Sequence, residues 1–128
     1  MRTGGLATTA LALGSTHAAL ALLEDEAAAR AALAPVAEAL RAEAVAIEAR
    51  LRRAATSGET EDRDRLRADA NGLVVRAAQA ALTATKGAGF TAGHPAERLV
   101  REAHFFLVWS CPQTVAGIAL CELSGIKM

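Results

Sequence analysis

Leu33, Val36, Leu40, Ala44, Ile47 and Leu51 recur at spacings of three and four residues. Only an α-helix gathers that period onto one face. The opposite face carries Glu38, Arg41, Glu48 and Arg52, and Glu48 precedes Arg52 by four residues, the favourable order for a helical ion pair. Pro35 suits the first turn, where its missing N–H has no intrahelical partner to lose. Composition extends the argument to the rest of the chain. Alanine dominates, tyrosine is absent and only three phenylalanines and one tryptophan occur, a palette suited to closely packed helices rather than to a pleated sheet.

Three further helices follow from the same logic. The first runs from about Leu6 to Arg30, with Glu24, Asp25 and Glu26 in its last turns. Ser57-Gly58 ends the second, and Glu59, Glu61, Asp62 and Asp64 crowd the start of the third, where the helix dipole favours negative charge. Leu66, Ala70, Leu73, Ala77 and Ala81 give that third helix a stripe of small residues, and Lys86-Gly87 ends it as a cation and a C-terminal glycine. Gly87 to Gly93 is a glycine-rich loop, Pro95 opens the fourth helix, and Pro112 is expected to kink it. Short connections favour antiparallel neighbours, so residues 1–128 are expected to form one all-α domain, an up-down-up-down four-helix bundle. A chain of 128 residues, 52% hydrophobic, supports one core and not two.

Two stretches without charge, Thr3 to Leu23 and Ala103 to Cys121, stand out. The first is rich in Ala, Thr and Gly and contains His17; the second contains His104, Ser110, Pro112 and Gln113. Both suit buried helices better than a signal peptide or a bilayer span. Two such helices are more than one small bundle covers, because a helix apolar all round needs burial on every side. The first and last helices are therefore expected to meet a second copy or another domain.

Fourteen basic residues balance fourteen acidic ones, which leaves no field to gather nucleic acid or an anionic membrane. Arg50, Arg52 and Arg53 read as a solvated face. Cys111 and Cys121 lie ten residues apart, about 15 Å along one helix and too far to bridge. They read as free packing thiols in a reducing cytoplasm. His17, His94 and His104 are scattered, and His94 with Glu97 at a helix start suggests capping rather than metal binding. Ser110 or Cys111 acting with His104 would make a small self-contained enzyme, but six residues separate Ser110 from His104, which turns them to different helix faces.

The run Lys86-Gly-Ala-Gly-Phe90 and, after four residues, Pro95-Ala-Glu-Arg-Leu-Val-Arg-Glu-Ala103 resembles the C-terminal helical domain of acyl-CoA dehydrogenases. Those flavoenzymes carry a Gly-Gly-x-Gly-Phe/Tyr loop before Pro-x-Glu-Arg/Lys-Leu-x-Arg-Asp-Ala. The resemblance implies FAD-dependent oxidation of an acyl thioester in a longer protein. This bundle would form one wall of the flavin site and much of a dimer or tetramer interface, in partnership with a further N-terminal domain and a β-domain. Gly87 and Gly89 are then the residues expected beside FAD, although a plain helix-ending turn would use the same glycines. Ser110 occupies the place of the family's proton-abstracting glutamate, Cys111-Pro112 replaces its Gly-Thr, and Thr83 replaces a flavin-contacting glutamine. No residue of this chain is therefore assigned a catalytic role. The alternative is a stand-alone helical scaffold that has lost flavin chemistry.

Overall fold

A computed structural model describes residues 3–56, 62–85, 93–109 and 111–127. The chain is all-α, with five helices: α1 (Thr3–Ala29), α2 (Ala34–Thr56), α3 (Arg63–Thr85), α4 (Pro95–Phe105) and α5 (Gln113–Ser124). A single 3-10 turn, Ala31–Leu33, links α1 to α2.

Ion pairs give the helix directions. Arg41 of α2 bonds Glu24 of α1, and His17 of α1 faces Glu48 of α2, so those helices run antiparallel. Arg50 meets Asp69 and Arg76 meets Glu43, which makes α2 and α3 antiparallel as well. Arg30, at the end of α1, donates to the Ala84 carbonyl near the end of α3. α1 and α3 therefore run in the same sense, and they share the most extensive interface in the molecule. α2 and α4 each pack against both members of this pair. The result is a flattened bundle with α3 at its centre.

Small residues explain that centre. Leu66, Ala70, Leu73, Ala77 and Ala81 of α3 are all buried, as their spacing requires, and Ala12, Thr16 and Ala19 of α1 are fully covered. Alanine and threonine let two helix axes approach more closely than leucine pairs would. α1 is long and apolar enough to span a bilayer by length and composition, and here it buries one face in the bundle. Its other face, with Ala7, Leu11, Gly14, Ala18 and Ala21, is exposed.

Two expectations need correction. On α2, Leu40, Ala44 and Ile47 are buried, but Val36 is 44% exposed and Ala37 takes the inward position. With 3.6 residues per turn, Ala37 lies closer than Val36 to the line through Leu40 and Ala44. The expected fourth helix is two helices. After Phe105 the backbone tightens, with N–H groups of Phe106, Leu107 and Val108 reaching carbonyls three residues back. Pro112 then sits extended (φ −59°, ψ 149°) and begins α5 instead of bending a continuous helix. Proline disfavours helical backbone at the residue before it, and Cys111 is accordingly non-helical.

Candidate functional site

The motif-bearing region begins where α3 ends. Thr83, in the place of the expected glutamine, is exposed and spends its hydroxyl on the Gln79 carbonyl at 2.8 Å. Lys86, Gly87, Gly89 and Phe90 lie outside the described residues, so the expectation for Gly87 and Gly89 concerns positions on which the fold is silent. Gly93, just before α4, has a φ of +89°, which favours glycine. His94 caps α4: its Nδ1 accepts from the Ala96 N–H at 3.0 Å, and Pro95 follows in the first turn. The capping role inferred for His94 is what the geometry provides.

Along α4 the motif divides by face. Ala96, Leu99 and Ala103 are buried, with Leu99 and Ala103 in the main core. Glu97 pairs with Arg101 at 2.9 Å and Arg98 with Glu102 at 3.8 Å, all within one helix. Hydrogen bonds from Arg101 hold the Glu97 carboxyl below the ordinary glutamate range.

The joint between α4 and α5 is the most polar place in the interior. Arg67 and Asn71 of α3, only 3% and 2% exposed, reach into it. The Arg67 guanidinium donates to the Trp109 carbonyl at 3.2 Å, and the Asn71 amide donates to the Phe106 carbonyl at 3.1 Å. Arg67 Nε and Asn71 Oδ1 remain without partners. Sequence reasoning passed over both residues because it followed the apolar stripe. The available signal was their spacing: they sit four apart, each one position after a buried stripe residue, Leu66 and Ala70.

On the outer side of the joint, the Phe105 and Trp109 rings stack at 5.5 Å and 19°, and both residues are about half exposed. Cys111 packs against Ala68, Val115 and Ile118, a small cluster that seats α5 on α3. His104 is exposed and its Nδ1 engages the Val100 carbonyl at 2.7 Å. Cys111 therefore serves as packing, as expected, and His104 is committed to its own helix. Ser110 lies outside the described residues.

Elsewhere several charged groups pair across the helices. Glu43, Arg50, Asp69, Arg76 and Glu122 line a cleft of about 470 Å3 between α2, α3 and α5. Asp69 takes Arg50 at 2.7 Å and Arg65 at 3.3 Å, Glu122 takes Arg65 at 2.7 Å, and Glu43 takes Arg76 at 2.6 Å. Arg76 holds Glu43 below the ordinary carboxylate range, as Arg41 does Glu24. Between α1 and α2, a guanidinium only donates, so Nδ1 of His17 accepts from Arg41 at 2.8 Å and the ring proton belongs on Nε2, 3.4 Å from Glu48. Arg52 hydrogen-bonds Glu48 at 2.6 Å and lowers its pKa, which is the intrahelical pair anticipated from spacing. Glu24, Glu43 and Glu48 are thus held ionised by their arginine partners, so they are poor proton donors near neutrality. Among the described residues, no three His, Cys, Asp or Glu side chains converge as metal ligands.

Comparison of the chain with family profiles, curated proteins and solved structures gave no match.

Proposed function

We propose that this chain is the helical part of an acyl-CoA dehydrogenase-like flavoprotein, lending one wall to an FAD site and a face to a subunit interface without supplying the proton-abstracting group. The reading is carried by the coincidence of motif and element. The Gly-Ala-Gly-Phe run falls between the end of α3 at Thr85 and the turn at Gly93, and the Pro-Ala-Glu-Arg-Leu-Val-Arg run is α4 itself. In this reading α1 to α4 form the up-down-up-down bundle, α5 is an appended arm, and Gly87 and Gly89 approach the cofactor's adenosine end.

The fit to FAD is partial. Two buried, unpartnered polar atoms, Arg67 Nε and Asn71 Oδ1, lie at the joint that leads to Cys111-Pro112, the segment the resemblance sets against flavin. Pro112 has no N–H to offer there, and Thr83 already bonds its own helix. The rest of the cradle belongs to a β-domain in the family. Bound FAD would accept the hydride equivalent from the acyl thioester; this chain's residues would orient it and exclude water.

The test is to tag the protein at its native locus and purify whatever the cell makes. A flavin absorbance band that is lost in Gly89→Val, with helical content intact, is the expected result. A colourless wild-type preparation would overturn the flavoprotein reading. The exposed apolar residues Phe105, Val108, Trp109, Leu120, Leu123 and Ile126 favour a second reading, the stand-alone homo-oligomeric scaffold, and a colourless oligomer would select it.

A further inference from the structure

Arg67 is unlike the arginines around it. Arg50, Arg65 and Arg76 are only partly covered, and each meets a carboxylate. Arg67 is buried, and the hydrogen bond it makes goes to a backbone carbonyl. Nor can the joint supply a counter-charge, since no charged residue occurs from Ala103 to Cys121. A buried guanidinium without a carboxylate carries a desolvation cost of several kcal/mol. The carbonyls left free past the end of α4, where the helix dipole is negative, offset part of that cost. One turn further along α3, Asn71 binds the Phe106 carbonyl in the same way.

The other side of the joint is held from the same turn of α3. Ala68, next to Arg67, belongs to the cluster with Val115 and Ile118 against which Cys111 packs. Three neighbouring positions on one helix thus hold the chain before and after position 110. The N–H groups of 106–109 already bond back to carbonyls of 103–105, which shapes the turn locally. Directed hydrogen bonds from α3 to the Phe106 and Trp109 carbonyls fasten that turn to the neighbouring helix.

We propose that Arg67 and Asn71 are positioning residues, a buried clamp that sets the backbone of 106–109 and, through it, the course of Cys111-Pro112 beside the flavin. The clamp itself needs no flavin; its consequence for cofactor binding rests on the function proposed above. Tryptophan occurs only once in the chain, at position 109. Its fluorescence therefore reports on the clamped turn independently of any cofactor.

The experiment compares Arg67→Leu, Arg67→Lys and Asn71→Leu with the wild type and with Arg52→Leu, a surface control, all purified from the native locus. Circular dichroism checks the fold. In Arg67→Leu, Trp109 anisotropy should fall, its emission should shift to the red and most of the flavin should be lost. Arg67→Lys should restore part of each signal, and Arg52→Leu should resemble the wild type. If Arg67→Leu does not fold, Arg67→Lys and Asn71→Leu decide by the same signals. Unchanged Trp109 signals in folded variants would overturn the clamp. Altered Trp109 signals with full flavin retention would overturn its positioning role. A wild type without flavin defeats the proposed function instead, and Trp109 anisotropy still judges the clamp.

Discussion

Leu73 shows what a single side chain contributes to this bundle. It is fully buried at the centre of α3, and it belongs to the main core shared by the first four helices. Replacing it with alanine removes buried methyl groups and leaves a cavity, which costs about 2–5 kcal/mol. A denaturant titration of Leu73→Ala should show that loss as a lowered midpoint with an unchanged slope. At the C-terminus, Gly125 adopts φ +77° and closes α5, while the Ile126 N–H reaches back to the Cys121 carbonyl at 2.9 Å. An alanine there would sit in the left-handed region, a penalty of roughly 1 kcal/mol confined to the last turn. Residues such as Leu73 were legible in the sequence because burial and period reinforce one another. Arg67 and Asn71 were not, because a charged or amide side chain one position off an apolar stripe is ordinarily solvated. Only the neighbouring backbone, which no periodicity encodes, reveals that they have carbonyls to serve.

Helices meet through paired charges as much as through alanines, and this gives the bundle a defined response to acid. Arg76 on α3 holds Glu43 on α2, and Arg41 on α2 holds Glu24 on α1, each lowering the glutamate pKa through hydrogen bonding. A carboxyl whose pKa is lower folded than unfolded adds stability above its unfolded value and surrenders it as pH falls through the folded one. Stability should therefore hold from neutrality down to the ordinary glutamate range, about pH 4.3, and decline below it. Glu43 and Arg76 are each about half exposed, so solvent screening keeps the pair below about 1 kcal/mol. Glu43→Gln should reduce the acid-side slope of the denaturation midpoint without removing it; an identical slope would show that the pair does nothing. α5 depends on fewer contacts. Val115 and Ile118 seat it, Arg65 reaches Glu122, and a groove of about 190 Å3 remains beside Val75, Leu107, Ala119 and Leu123. Val115→Asp buries an unpaired carboxylate, so hydrogen exchange should accelerate throughout α5 while α1 to α3 stay protected. The sequence announced a disturbance at Pro112. That this became a break and not a kink follows from the tightened turn at 106–109 and the carbonyls that α3 binds there, which are tertiary facts.

At the scale of the whole molecule, the question is what covers the apolar surface that remains. One helix cannot bury all its sides in a bundle this thin, and α5 packs on α3, leaving Leu120, Leu123 and Ile126 between 63% and 70% exposed. Leu120 and Leu123, three residues apart on α5, form a ridge that Ile126 extends past the end of the helix. Phe105, Val108 and Trp109 add a second apolar ridge at the joint. Exposed residues of this kind, contiguous along a helix, are characteristic of surfaces that another protein covers. Under the proposed function that partner is a second copy of the chain, and a twofold pairing of α5 ridges is self-complementary because each copy presents the same residues to the other. Sedimentation should then give a mass above the 13.2 kDa of one chain, rising with concentration. Leu120→Glu with Leu123→Glu should return the protein to one chain, since like charges would face each other across the axis in an apolar interface. Helical content should be unchanged, because neither residue contributes to the core. A wild type that sediments as one chain at every concentration would mean that the ridge is not a self-association surface, and the search for its partner would move to a further domain of the same protein.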